Sequence, residues 1–299
     1  MKTLYIKVLF LLFAVNFSLA QNWMTSLPIA QDLALVQNKM VLMVWEETTL
    51  YPYPVLVNDE TGRTIFIDNL FTDENLSPLI WKHFVPVIVS ENRYADLYGS
   101  IKNKRTQRYI DKFNDNSIKI MDANGNIVNV LHYNGEFQNM THLIEKYAVN
   151  TAFMAQELIN YHNDKNFYTA YYLASKYFDF AVYSNDDLRK SIINLANIYL
   201  DHAKRLVDKE TSEDRLALAQ RAELLEIQQY LILGKPRKVL RQLRRLEDME
   251  IAPANEPFVS FLYYTAYSIL NDADEITLWK SKVSSVNLKR AQLIININS

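Results

Sequence analysis

The second half of the chain combines helical periodicity with a near absence of glycine. Between residues 151 and 290 the sequence contains one glycine, Gly234, and apolar residues recur at helical spacing. The pattern is interrupted at Asn163-Asp164, Asn185-Asp186, Gly234-Lys235-Pro236 and Asn271-Asp272. Turn-forming residues at these points divide the region into separate helices. This half is therefore predicted to be entirely α-helical.

Three stretches of this half have the pattern of a helix, a tight turn and a second helix. They are AQELINYHNDKNFYTAYYLASKYF, LLEIQQYLILGKPRKVLRQL and FLYYTAYSILNDADEITLWKSKV. The turns of the last two lie about 37 residues apart, a spacing typical of stacked helical hairpins. Small residues stand where helices must approach closely, as at Ala170, Ala174 and Ala266. The units resemble degenerate tetratricopeptide repeats, which implies a helical-repeat domain, residues 149–299, that binds proteins or peptides.

Aromatic residues are concentrated in two of these hairpins. They are Tyr168, Tyr171, Tyr172, Tyr177 and Phe178 in one, and Phe261, Tyr263, Tyr264 and Tyr267 in the other. Because each set divides between two faces of a helix, some rings are expected to reach a binding groove, where aromatic side chains serve as anchors. The alternative is that all of them fill gaps between helices.

The first half mixes strand and helix patterns. Apolar runs KMVLMVWEE and FVPVIVS are each followed by helical patterns, and SIKIMDANGNIVNVLHY has two strands around an Asn-Gly turn. A helical stretch over residues 93–113 is weakened at Gly99, and Thr72 is placed as the N-cap of another helix. PVLVNDETGRTIFID adds an inserted hairpin. The mixture predicts one sheet with helices on its faces.

The order of these elements, together with NSIKIMDANGNIV, resembles thioredoxin-like domains over residues 23–148. The predicted fold class is an α/β thioredoxin-like domain, residues 21–148, followed by the all-α helical-repeat domain. In that family the strand matching Val41 to Trp45 leads to a Cys-x-x-Cys loop. This chain contains no cysteine, so a disulfide oxidoreductase is not expected.

The loop from Glu46 to Pro54 occupies the position of the redox loop. Its candidate binding residues are Trp45, Glu46, Glu47, Tyr51 and Tyr53, with Asn116 and Ser117 across from them. Asn116 aligns with the family's cis-proline and is expected to be trans, because a cis bond before a residue other than proline costs about 2.5–4 kcal/mol. The alternative to binding is that Trp45, Tyr51 and Tyr53 pack against the sheet edge and the hairpin.

Other chemistry has little support in the sequence, and no cofactor or metal is expected. The glycines are too few and too scattered for a phosphate-binding or dinucleotide-binding loop. Asp122, Asn124 and Asn126 resemble the start of a calcium loop, but their spacing to later residues favours a hairpin turn. His142 and Glu145 are predicted to form a surface pair on one helix.

One helical stretch is strongly basic on one face. Its cations are Arg237, Lys238, Arg241, Arg244 and Arg245, opposite an apolar stripe of Val239, Leu240, Leu243 and Leu246. This face is a candidate for docking an acidic partner. An anionic membrane surface is a second candidate, and a solvated face neutralised by Glu223 and Glu226 is the alternative to both.

Residues 1–20 have the pattern of a signal peptide, with Lys2 and Lys7 ahead of an apolar run that ends in Ser18-Leu19-Ala20. Without them the chain has 30 basic and 34 acidic residues, a net charge of −4, which disfavours nucleic-acid binding. The sequence thus predicts an exported, periplasmic or secreted, non-catalytic binding or scaffold protein with a protein or peptide partner. The alternative is a cell-envelope enzyme or a thiol-independent folding helper.

Overall fold

The computed structural model describes residues 22–131, 137–210, 214–246 and 250–299. The chain divides into two compact units, one extending to Val149 and the other beginning at Asn150. The predicted signal peptide lies outside the described residues. The predicted order of an α/β region followed by an all-helical region is confirmed.

The first unit contains short helices and strands in alternation. Its helices are α1 (Leu27–Gln37), α2 (Leu76–His83), α3 (Tyr94–Ile101), α4 (Gln107–Asn114) and α5 (Met140–Tyr147). Its strands are β1 (Met40–Trp45), β2 (Val55–Asn58), β3 (Thr64–Ile67), β4 (Phe84–Val89), β5 (Ile118–Met121), β6 (Ile127–Leu131) and β7 (Gln138–Asn139).

The larger sheet has the strand order β4-β1-β5-β6. Strand β1 lies inside it, parallel to β4 and antiparallel to β5, and β5 continues into an antiparallel hairpin with β6. All six residues of β1 are buried, which explains why its sequence is continuously apolar and does not alternate with polar residues. Helices α1 and α2 both pack against β4.

The prediction of a single sheet is wrong. The inserted hairpin of β2 and β3 forms a second sheet, in which β2 pairs in parallel with the two-residue strand β7. Asn139 reinforces this pairing, since its amide nitrogen donates to Asn58 Oδ1 at 3.0 Å. A strand of two residues has no pattern that could reveal it in the sequence.

Two helix boundaries also differ from the prediction. The helical stretch over residues 93–113 is interrupted at residues 102–106 and not at Gly99. Thr106 begins α4 as its N-cap, because its side chain accepts a hydrogen bond from the Tyr109 amide. Thr72 does not begin α2; the carboxylate of Asp73 accepts from the Leu76 amide at 2.8 Å and serves the start of that helix.

The second unit is helical. Its helices are α6 (Ala155–Asn163), α7 (Phe167–Tyr183), α8 (Asp186–Val207), α9 (Arg215–Ile232), α10 (Pro236–Leu246), α11 (Glu256–Leu270), α12 (Ala273–Lys280) and α13 (Ser285–Asn296). All four predicted interruptions are confirmed. Three further ones, after α8, α10 and α12, were not predicted.

Capping residues account for the confirmed interruptions. Asn166 forms a reciprocal capping box with Thr169 at the start of α7, and Asn185 caps α8. Asn271 ends α11 in the left-handed conformation, with a φ of 57°, and Asp272 then caps α12. Asparagine and aspartate adopt these roles readily, so their positions in the sequence indicated the turns.

Neighbouring helices of the second unit pack in pairs. α7 packs along α8, α9 along α10, and α11 along α12. α9 also contacts both α7 and α11, and α13 packs on α11. These contacts give a row of α7, α9 and α11. In the described part of the chain, no helix is both long and apolar enough to cross a membrane.

Candidate functional site

The loop after β1 is held in place by hydrogen bonds to the segment before β5. It begins with a 3-10 helix, Glu46–Leu50, and continues as extended chain into β2. The hydroxyl of Thr48 donates to the carbonyl of Asn116 at 2.6 Å, and that of Thr49 donates to the carbonyl of Glu46 at 2.8 Å. The loop is thus joined to the adjacent end of β5.

Trp45 forms the centre of an aromatic cluster beneath this loop. Its side chain is buried, and its indole nitrogen donates to the carbonyl of Phe113 at 3.1 Å. The Phe113 ring lies edge-on to it at 5.2 Å, and Tyr94 lies at 5.6 Å. Tyr98 stacks on Tyr94 at 5.6 Å and completes the cluster. Because the Trp45 ring is packed against other rings and its N–H is hydrogen-bonded, the indole stabilises the core and is not available to anchor a ligand.

A buried lysine on β5 completes the surroundings of Trp45. The ammonium of Lys119 lies over the Trp45 ring at 5.6 Å from its centroid, and the residue is fully buried. It donates to the carbonyls of Asp115 and Ser117, the latter at 3.2 Å. Burial lowers the pKa of Lys119 to about 8, although the negative charges of Asp115 and Glu91 act in the opposite direction.

Sequence reasoning overlooked Lys119. The available signal was a lysine within the apolar strand IKIM, where a charged side chain is rarely buried without partners. Its contacts show what it does: it donates to two backbone carbonyls and holds the segment before β5 against the aromatic cluster.

The structure separates the residues proposed for the loop site. Glu46, Glu47 and Tyr51 point to solvent, and Tyr51 is 75% exposed. Tyr53 instead packs against Phe71 at 5.9 Å, away from the Trp45 cluster.

On the opposite side of the loop, Asn116 is exposed, whereas Ser117 is buried and bonds to Asp115. Peptide bonds of the described residues, including that of Asn116, are trans, as expected. The residues that the loop brings together are therefore Trp45, Thr48, Asn116 and Lys119. Trp45 and Lys119 are buried, so they offer a ligand no surface.

The loop after β1 carries no group for thiol chemistry. Because the chain has no cysteine, thiol–disulfide exchange is excluded. A cavity of about 370 Å³ lies beside the start of α1, but its lining includes no residue of the 46–54 loop. Its charged lining residues, Arg93 and Asp96, face each other at 3.8 Å. In the described residues no three histidine, aspartate or glutamate side chains are grouped as metal ligands would be.

The two groups of residues with a partial resemblance to metal ligands have structural roles, as predicted. Asp122 accepts from the amides of Asn124 and Asn126 at 3.1 and 2.8 Å, which closes the β5–β6 hairpin. His142 and Glu145 form the predicted surface pair at 3.1 Å.

No protein-family model, curated protein or solved structure matches this chain.

The aromatic residues of the second unit divide unequally between core and surface. Of the nine rings from which some were expected to reach a groove, Tyr171, Tyr177, Phe178, Phe261, Tyr263 and Tyr264 are buried, and Tyr267 is half-buried. Tyr168 and Tyr172, one turn apart on α7, are 44% and 57% exposed. Most of the rings therefore fill gaps between helices, and two from α7 remain at the surface.

Arg221 of α9 is half-buried and packs against Tyr171, the sequence neighbour of Tyr172. Its guanidinium is 6.0 Å from the ring centroid of Tyr171, which itself contacts the Tyr172 ring at 5.6 Å. It also hydrogen-bonds to the carbonyl of Ala254 at 3.2 Å, but no described carboxylate forms an ion pair with it. Burial raises the pKa of Tyr171, and the positive charge of Arg221 opposes this. Tyr168, Tyr172 and Arg221 are called the tyrosine patch below.

The basic residues of α10 lie on the side of the helix opposite its apolar stripe, as predicted. Arg237, Arg241, Arg244 and Arg245 are exposed, and Lys238 is half-buried with its ammonium 3.7 Å from the Tyr230 ring centroid. Val239, Leu240 and Leu243 are buried against the rest of the unit.

Proposed function

We propose that this chain is an exported, non-catalytic protein-binding module that combines a redox-inactive thioredoxin-like unit with a tetratricopeptide-like helical unit. The first assignment is supported by a central strand β1 that pairs in parallel with β4 and is followed by the β5–β6 hairpin and α5. The second is supported by the helix–turn–helix pairs and by the contacts of α9 with α7 and α11. The export part rests on the pattern of residues 1–20.

The tyrosine patch is the observation that carries the proposed binding role. Tyrosine and arginine are the residue types most enriched at the energetic centres of protein interfaces, along with tryptophan. Here they come from two adjacent helices, α7 and α9, so their relative position is set by helix packing. The guanidinium of Arg221 also has no carboxylate partner in the described part of the chain. The patch therefore has the chemistry of an anchor site for a peptide or a protein surface.

The loop after β1 contributes in a different way. Trp45, just before the loop, and Thr48 within it are engaged in internal hydrogen bonds, so the function of the loop in this proposal is to close the former redox position. The exposed Tyr51 is the one aromatic side chain of the loop that offers area to a partner. It therefore provides a matched comparison for the tyrosine patch.

The test is affinity capture of partners from the native envelope fraction with three forms of the chain without residues 1–20. These are the unmodified chain, the double variant Tyr168→Ala/Tyr172→Ala, and Tyr51→Ala. The double variant is expected to retain at most about a tenth of the partner, since losing one or two anchor side chains costs about 2 kcal/mol or more. Tyr51→Ala is expected to retain it.

If Tyr51→Ala loses the partner while the double variant retains it, binding is assigned to the loop after β1. If both variants capture a partner as well as the unmodified chain does, the tyrosine patch is not the binding site. Thermal midpoints of all three forms verify folding, because Tyr168 and Tyr172 are exposed and their loss should leave the fold intact.

A further inference from the structure

The exposed face of α10 carries four arginines in close succession. They stand at positions 237, 241, 244 and 245, a spacing that places them along one side of a helix. From first to last they cover about 12 Å along the helix axis. The opposite side of α10 is occupied, since Val239, Leu240 and Leu243 are buried in the unit.

These four arginines have no carboxylate partner in the part of the chain that the structure describes. The ion pairs of the helical unit are Lys176–Glu157, Arg189–Asp186, Lys204–Glu226 and Arg290–Asp179. Glu226, one of the two residues that could have neutralised α10, is thus engaged by Lys204 of α8. Glu223, the other, is exposed and forms no ion pair with a residue that the structure describes. Neither of the two carboxylates that were expected to neutralise α10 therefore forms an ion pair with its arginines.

This arrangement is unfavourable for the isolated unit. Like charges three or four positions apart on a helix destabilise it by about 0.2–0.5 kcal/mol for each pair. Arg244 and Arg245 gain something from the helix dipole because they lie in the last turn, but Arg237 lies in the first turn and does not. Packing of the apolar stripe holds the helix in place, and an external anion would relieve the repulsion between the arginines.

We propose that the exposed face of α10 binds an acidic polypeptide segment that presents several carboxylates over about 12 Å. Guanidinium groups form two parallel hydrogen bonds to a carboxylate, which explains the use of arginine at all four positions. Membrane insertion does not fit this helix, because its apolar side is already buried and cannot enter a bilayer. The inference rests on the proposed protein-binding role but uses a surface distinct from the tyrosine patch.

The test uses the full chain without residues 1–20 and a fluorescently labelled polyglutamate peptide, with binding measured by fluorescence anisotropy at low and physiological salt. The variant R237Q/R241Q/R244Q/R245Q is expected to bind at least about tenfold more weakly than the unmodified chain. A control variant, K190Q/R205Q/K280Q/K289Q, removes the same charge from exposed positions on other helices. It is expected to remain within about twofold of the unmodified chain.

Three results would overturn the proposal. They are equal weakening by the two variants, no binding of polyglutamate by the unmodified chain, and binding to phosphatidylglycerol vesicles without binding to polyglutamate. If the fourfold variant does not fold, R241Q/R244Q replaces it, with an expected loss of about threefold. The variant Tyr168→Ala/Tyr172→Ala is included in the same assay. Its unchanged polyglutamate binding would separate the α10 surface from the tyrosine patch, whatever the outcome of partner capture.

Discussion

The hydroxyl of Thr48 donates a hydrogen bond to the carbonyl oxygen of Asn116 at 2.6 Å, across 68 positions of sequence. This bond joins the 3-10 helix after β1 to the segment before β5, the two segments that the sequence comparison matched to the halves of a redox site. The bond holds the loop after β1 against the segment before β5. Both segments should therefore contribute to the stability of the first unit.

Replacing Thr48 by valine should destabilise the first unit by about 0.5–1 kcal/mol, because the carbonyl of Asn116 loses its donor while the side-chain volume stays similar. Urea unfolding measures the change. Thr48→Ser keeps the hydroxyl and should be close to the unmodified chain. A loss in Thr48→Ser with none in Thr48→Val would show that the methyl group, and not the hydrogen bond, stabilises the loop.

Replacing Trp45 by phenylalanine should cost about 2 kcal/mol, because it removes the hydrogen bond to Phe113 and leaves space beside Tyr94 in a buried cluster. Trp279→Phe is the matched control. That indole is half-buried and bonds to a carboxylate of its own helix, so its loss should cost less than about 1 kcal/mol. A smaller loss at Trp45 than at Trp279 would contradict the assignment of Trp45 as the centre of the cluster.

Lys119 should make the stability of the first unit depend on pH in the alkaline range. Its pKa is lowered from 10.5 to about 8 in the folded state. Between these values the unfolded chain binds more protons than the folded one, so this contribution to stability is complete above pH 10.5 and is lost as the pH falls towards 8. The difference between the two pKa values corresponds to a change of about 3 kcal/mol in the free energy of unfolding.

The measurement is the free energy of unfolding of the unmodified chain minus that of Lys119→Met, at several pH values between 8 and 10. The difference should rise with pH, and most of the tyrosine titration cancels because both forms share it. A flat difference would mean that Lys119 has a pKa near its ordinary value and is reached by solvent. Methionine preserves the length and the apolar stem of the side chain, which limits the packing change.

Two glycines should respond in opposite ways to replacement by alanine. Gly99 lies within α3, and a Cβ there would meet no atom within 4 Å, so Gly99→Ala should stabilise the unit by about 0.5–1 kcal/mol. Gly125 has a φ of +81°, and a Cβ there would lie 2.2 Å from the side-chain nitrogen of Gln31. Gly125→Ala should therefore destabilise by about 1–2 kcal/mol. Thermal unfolding of both variants checks the sign, and a stabilising Gly125→Ala would disprove the turn assignment.

The sequence determined the features that depend on neighbours within a few positions. The asparagines at 163, 185 and 271 and the Gly-Lys-Pro turn at 234–236 mark the ends of helices because their backbone preferences act locally. The uninterrupted apolar run of β1 marked a buried strand in the same way. The lack of cysteine excluded thiol chemistry without any structure.

Tertiary structure decided everything that depends on partners distant in sequence. The second sheet exists because β2 meets β7, 83 positions away, and a strand of two residues has no periodicity of its own. Gly99 remains inside a helix, while the chain turns at residues 102–106, because the rings of Tyr94 and Tyr98 on that helix pack against Phe113 and outweigh a propensity worth only about 1 kcal/mol. Tyr171 and Tyr172 are adjacent on one helix, yet only the second is exposed, because burial depends on which helices lie opposite each ring. Periodicity specifies an amphipathic face; only the packed neighbours decide whether that face is covered.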